Sequence, residues 1–220
     1  MCGRFNQTAS GEEIAEAFEL DAAPALAPRY NIAPTQPVAV VVLDPTAGRR
    51  KLVERKWGLL PKGALGKQRG FINARAESAA DKPAFSEAFG ERRCLVLATG
   101  FYEWQQVDPR RRQPWLFRLA AGGPFAFAGL WEPAAALPDA VSTCTILTTQ
   151  PNDVTRPVHD RMPVILAPAS YERWLDPKLH TREELRALLA PFPAEAMTAY
   201  PVSTCVNNAA FDDPGCLAPA

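Results

Sequence analysis

Cys94-Leu95-Val96-Leu97-Ala98-Thr99-Gly100-Phe101-Tyr102-Glu103-Trp104 is the stretch that indicates the fold class. Residues 94–98 are apolar without interruption and of strand length, which predicts a central strand buried on both faces. The run leads directly into Gly100-Phe101-Tyr102-Glu103-Trp104, where one carboxylate stands among aromatic rings. Outward from it, residues 38–43 read as a buried strand, and Asp44-Pro45-Thr46-Ala47-Gly48 turns the chain into a second strand over 51–58. Residues 115–119 and 125–130 are expected strands on either side of Gly122-Gly123, with others over 144–149, over 164–166 and near Val202. Residues 108–112 form a charged hairpin tip, and its Arg110-Arg111-Arg112 run reads as solvated, outside any site. Ser10 with Glu13 predicts a capped helix over 11–20, and Thr181 with Glu184 a second capping box for a helix to about residue 189. Short helices are expected over 83–89, with Pro83 in its first turn, and over 170–175. Residues 21–37 read as extended loop and 59–70 as mobile loop. Together these elements predict one α+β domain over residues 1–220, with a β-rich core of bent sheets forming an open barrel and helices at the periphery.

Composition narrows the function classes. The 220 residues are 47% hydrophobic and 22% charged, an ordinary globular profile, and 22 prolines favour short strands joined by turns. Net charge is zero, so nucleic-acid binding would have to come from a local arginine cluster with modest salt dependence. The five cysteines, at 2, 94, 144, 205 and 216, are odd in number and include no C-x-x-C, so neither a disulfide framework nor a zinc site is signalled. No signal peptide and no apolar run long enough to span a membrane is seen. The expectation is a cytoplasmic, nucleoid-associated monomer without metal or cofactor.

Cys2, Glu103, His159, Asn73 and Arg75 are the residues that could carry chemistry. Removal of Met1 would leave Cys2 with an α-amine and a thiol on adjacent carbons, a pair that turns an aldehyde into an imine and then a five-membered thiazolidine. The bland alternative is a frayed terminus, but Gly3 allows close backbone approach and Phe5 would anchor the segment. Glu103 in an aromatic setting is costly to ionise and suits a general acid or base; strand alternation could instead turn it outward. His159, in Pro157-Val158-His159-Asp160-Arg161-Met162-Pro163, is catalytic or a structural histidine. Asn73 and Arg75 stand two apart, facing the same way if extended, and suit an anionic, oxygen-rich ligand or stabilise a loop.

Met1-Cys2-Gly3-Arg4-Phe5, Tyr30-Asn31-Ile32-Ala33-Pro34-Thr35, Trp57-Gly58-Leu59-Leu60-Pro61, Ile72-Asn73-Ala74-Arg75-Ala76-Glu77, Arg92-Arg93-Cys94-Leu95, Gly100-Phe101-Tyr102-Glu103-Trp104, His159-Asp160-Arg161-Met162-Pro163 and Pro201-Val202-Ser203-Thr204 occur in that order. The set resembles the SRAP family of abasic-site processing proteins from residue 1 to about 215. The resemblance implies a partner, single-stranded DNA containing abasic sites, and a reversible thiazolidine crosslink to Cys2 that shields the lesion. It implies a crosslinking enzyme with lyase-like chemistry that also removes its own Met1. By position, Glu103 would move protons, Asn73 would hold the amine and sugar, and His159 would act on the sugar oxygen and in reversal. Arg4, Arg75 and Arg161 would neutralise phosphates, Thr148 would place a hydroxyl near the site, and Pro34 would be an apolar wedge. Many members carry Trp shortly after Trp-Gly-x-x-Pro, where this chain has Lys62-Gly63-Ala64. Thr99 stands where the family usually has Asp, so an acidic neighbour of the site is expected to be lost. The alternatives are a cysteine peptidase acting on peptide bonds and a non-catalytic reader of modified DNA.

Overall fold

The computed structural model describes residues 2–62, 70–134, 141–179 and 181–220. In chain order the strands are β1 (Phe5–Gln7), β2 (Arg29–Ile32), β3 (Pro37–Leu43), β4 (Arg50–Trp57), β5 (Asn73–Arg75), β6 (Arg93–Ala98), β7 (Gly100–Asp108), β8 (Arg111–Leu119), β9 (Phe125–Glu132), β10 (Thr143–Thr149), β11 (Met162–Pro163), β12 (Ile165–Leu166) and β13 (Met197–Pro201). The helices are α1 (Gly11–Phe18), α2 (Ala76–Ala79), α3 (Ser86–Glu91), α4 (Tyr171–Leu175) and α5 (Arg182–Ala187). The fold is mixed α+β and rich in sheet. One sheet runs β13-β8-β7-β1-β2; the other runs β11-β10-β4-β3-β6-β9-β12, with β5 beside β10. Thr143 to Ile146 of β10 also pair with β9, so the larger sheet bends until its pairing path returns on itself.

Burial explains why β6 is apolar after Arg93. Cys94, Val96 and Ala98 enter a core shared with Phe5, Phe101 and Phe117 of the smaller sheet. Leu95 and Leu97 enter a second core, against Ile14 and Phe18 of α1, Phe89 of α3 and Trp174 of α4. With both faces covered, a polar side chain within 94–98 would leave an unmet hydrogen bond. Truncating Leu95 or Leu97 to alanine would cost about 2–5 kcal/mol. A third cluster, Tyr102 and Leu116 with Val202, Val206 and Cys216, covers the other face of β7 and β8 with the C-terminal segment.

Arg93 is buried at the head of β6, and its guanidinium donates to Phe89 and Gly90 O at the end of α3 (2.7 and 2.6 Å) and to Trp174 O at the end of α4 (2.6 Å). One cation thus serves the carbonyl ends of two helices. Burial lowers its pKa to about 10.

Several expectations need correction. The stretch 21–37 contains β2, because the Asp212 carboxylate accepts from Tyr30 N–H (2.5 Å) and Asn31 N–H (2.9 Å), while Phe5 pairs with Ile32. That acid lies far along the chain, so no local pattern announces the strand. The helix expected at 83–89 runs Ser86–Glu91, after a turn in which Lys82 O accepts from Phe85 and Ser86 N–H; α2 was not anticipated. Ser10 and Glu13 do form a capping box on α1, but Thr181 makes no side-chain cap on α5 and its hydroxyl meets Glu184 instead. The strand expected near Val202 is β13, ending at Pro201. The 59–70 loop lies partly outside the described residues, as do Gly63, Ala64 and His180. Its ends are ordered: Leu59 and Phe71 exchange backbone hydrogen bonds (3.0 and 2.9 Å), and Gly70 packs so closely that a Cβ there would lie 2.0 Å from Gly58 O.

Candidate active site

Cys2 is placed by the strand that follows it. Phe5 pairs with Phe101 and Asn6 with Gly100, and Tyr102 N–H donates to Arg4 O at 2.9 Å. Continuing that antiparallel register by two residues sets Gly3 opposite Glu103. Phe5 is locked by edge-on contacts to Trp57 (5.1 Å) and Phe127 (5.7 Å). Cys2 itself is fully buried, and its carbonyl accepts from Asn73 Nδ2 at 2.7 Å. Burial, reinforced by the charge of Glu103, pushes its thiol above the ordinary range. The thiol is therefore held protonated until a partner takes its proton. The frayed-terminus alternative does not describe this segment.

Glu103 is 3% exposed. Alternation along β7 puts it on the face of Phe101, toward the inter-sheet core, while Tyr102 faces the C-terminal cluster. The outward reading fails because β7 has no solvent face here. Burial raises the Glu103 carboxyl to about 7, with the charge of Asp160 adding to the effect. Its Oε2 lies 3.9 Å from His159 Nε2. His159 Nδ1 lies 3.0 Å from Arg161 N and 2.9 Å from Asp160 Oδ1. These contacts belong to different protonation states. The neutral ring accepts from the Arg161 amide and keeps its proton on Nε2, toward Glu103; the cation donates from Nδ1 to Asp160. Burial lowers the His159 pKa, favouring the neutral form.

Asn73 begins β5, which lies parallel to β10 with Asn73 against Ile146. Its Oδ1 is buried without a hydrogen-bond partner among the described residues, an open acceptor beside Cys2. Cys2, Asn73, Glu103 and His159 therefore converge from four separate segments. Thr148, next on β10 toward β11, is buried, with its hydroxyl 3.5 Å from Ala74 O. Pro34 is half-buried in a turn held by Thr35 N–H donating to Trp57 O (2.8 Å), with Thr35 at φ 74°.

The three arginines differ. Arg75 is exposed, and no ion pair or hydrogen bond engages its side chain among the described residues. Arg161 is gripped by both Glu77 oxygens (2.7 and 2.8 Å) and donates to Thr148 O. Arg4 Nη1 donates to Asn31 Oδ1 and Val206 O (2.8 Å each), tying the N-terminal segment to the C-terminal one. Glu77 and Asn31 stood in the motifs quoted above but carried no signal of these partnerships. Gln105 was missed too: its amide donates to Pro157 O at 3.3 Å, bracing β7 against the His159 loop. Thr99 does not face the site. Its hydroxyl donates to Asn6 Oδ1 (2.6 Å) and meets Thr8 (3.0 Å), a structural junction between β1 and β7. Beside His159 is an open cleft of about 410 Å³ lined by Gln150, Pro151, Arg156, Val158 and Asp160.

Comparison with known proteins agrees along the chain. Residues 1–209 match the family model described as SOS response associated peptidase (SRAP). The abasic site processing protein YobE of Bacillus subtilis is 39% identical over 214 residues, covering 94% of this chain and 97% of its own. The abasic site processing protein YedK of Escherichia coli is 29% identical over 215 residues, covering 94% and 95%. A crystal structure of a protein from Bacteroides thetaiotaomicron superposes with a TM-score of 0.84 over 100% of both chains at 24% identity, which establishes a shared fold.

Proposed function

The chain belongs to the SRAP family, and on that premise we propose that it processes abasic sites in single-stranded DNA by capturing the sugar aldehyde on Cys2. The observation that carries this reading is the fixed, buried Cys2 with Asn73 on its carbonyl and the Glu103–His159 pair alongside. After Met1 is hydrolysed away, the Cys2 amine adds to the aldehyde carbon of the ring-opened sugar. The resulting carbinolamine loses water to give an imine. The Cys2 sulfur then bonds to the imine carbon while the thiol proton passes to nitrogen, closing a thiazolidine with one water released overall.

Each side chain has a task in that sequence. Glu103, with a pKa near 7, both donates and accepts protons at neutral pH, which suits ring opening and loss of the carbinolamine oxygen. His159 presents Nε2–H to the sugar oxygen and would act again in reversal. Asn73 Oδ1 receives the amine or a sugar hydroxyl. Arg75 is the arginine best placed to meet a phosphate directly; Arg4 and Arg161 would first have to share or exchange their protein partners. Thr148 and Pro34 would shape the walls of the lesion pocket. In this reading residues 1–220 are one domain whose bent sheets form a barrel-like support, acting as a monomer in the cytoplasm near the nucleoid. The peptidase activity is removal of Met1 by the same groups, and the lyase-like chemistry is the handling of the opened sugar.

Mass spectrometry of the purified protein, with and without a single-stranded oligonucleotide carrying one abasic site, tests the proposal. The expected result is loss of Met1 and a heat-stable adduct on Cys2, one water lighter than protein plus DNA. Retained Met1 with no adduct would sink the aminothiol mechanism.

A further inference from the structure

We infer that the tip of the β7–β8 hairpin, Arg110-Arg111-Arg112, is an arm that contacts backbone phosphates of the single strand leaving the site. The inference rests on the proposed function and extends it to residues that neither the motifs nor the site geometry enlist.

All three arginines are exposed. The tip that carries them has a closed turn: Asp108 Oδ1 accepts from Arg110 N–H (2.9 Å) and Arg111 N–H (3.0 Å), and Asp108 pairs with Arg111 across the strands. The mount is continuous with the site, because β7 carries Glu103 five residues before Asp108. At a strand rise of about 3.4 Å per residue that is about 17 Å, the length of about five stacked nucleotides and fewer extended ones. The arm is braced toward the site by the Gln105 bond to Pro157 O, and the charge of Arg112 adds to the lowering of the His159 pKa. A strand running outward past His159 would lie between this hairpin and the 150–160 loop that lines the cleft.

Existing partners leave the arginines available. Arg111 meets Asp108 at 3.5 Å in a pair whose side chains are 72% and 49% exposed, and Arg112 Nε donates to neutral Gln106 at 3.0 Å. Both are contacts that a phosphate can replace. On the facing loop Asp153 is paired with Arg156 (3.6 Å), while Asp160 accepts from His159 Nδ1 only when that ring is protonated. In a chain of zero net charge, this cluster is a local source of positive potential next to the site.

The test compares wild type with the variant Arg110→Gln, Arg111→Gln, Arg112→Gln. The probes are a 15-mer single strand with a central tetrahydrofuran abasic analogue, which lacks the aldehyde, and a trimer with one nucleotide on each side of the same analogue. With the 15-mer, removing three phosphate contacts should make the log–log salt slope shallower by about 2. The affinity gap between the two proteins should then shrink about 20-fold between about 50 and 200 mM salt. With the trimer, which reaches no further than Arg112, the two slopes should differ by at most about 0.7, the share of one phosphate contact. Equal slopes on the 15-mer, or an equal loss on both probes, would overturn the inference. A wild type that forms no Cys2 adduct with an aldehyde-bearing oligonucleotide defeats the proposed function instead, while the 15-mer slopes still decide the arm.

Discussion

Glu103 and Glu132 are both buried glutamates on strands, 3% and 4% exposed, yet they sit in opposite electrostatic settings. Glu132 Oε1 meets Arg92 Nη2 at 2.9 Å, and that guanidinium also reaches Glu87 and Glu91 at the surface. Glu103 faces His159 at 3.9 Å and the buried Cys2, groups that themselves gain or lose protons. A permanent cation matches the first carboxylate and keeps it a structural anion. The second has partners that titrate, so its protonation is coupled to theirs. Burial alone does not single out Glu103; burial among titratable partners does.

Predictions can break or sharpen this contrast. Cys2→Ala should abolish the DNA adduct outright, as read by gel shift under denaturing conditions, while leaving the fold intact. Glu103→Gln should slow adduct formation by about 10²-fold or more if the carboxyl moves protons. A drop smaller than about 3-fold would make Glu103 as structural as Glu132. The same variant carries a stability signature. The folded pKa of about 7 lies above the unfolded value of 4.5, so the native state binds the extra proton between those limits. Wild-type stability therefore falls as pH rises through that window, and Glu103→Gln removes the fall, gaining about 3 kcal/mol by pH 8 in denaturant titrations. If protonated Glu103 is the acid, the wild-type rate should also decline about tenfold per pH unit above pH 7, and that limb should vanish in the variant.

Asn73→Ala should slow the adduct by about 5–10-fold, the scale of one hydrogen bond, since the Cys2 carbonyl loses its donor. Glu132→Gln should leave the adduct rate unchanged and lower stability by about 1–2 kcal/mol. That is less than a fully buried pair would lose, because Arg92 keeps its surface acids. A rate loss in Glu132→Gln would erase the distinction between the two glutamates.

Local pattern carried much of this protein. The apolar run of β6, the turn at 44–48 and the capping box of Ser10 and Glu13 each became the element expected, because strand burial, turn chemistry and helix capping act over a few residues. The candidate residues could be named from sequence as well, since a cysteine behind Met1 and a carboxylate among aromatic rings are chemical statements in one dimension, and the structure brings them close together. What remained hidden depends on partners far away in the chain. β2 exists because Asp212 reaches its amides, and Arg161 is restrained because Glu77 grips it. Glu103 faces inward because the C-terminal segment has taken the other face of its strand, leaving it no solvent. Whether a charge is matched, shared or free to meet DNA depends on distances of a few ångströms between segments tens to hundreds of residues apart, and only folding sets those distances.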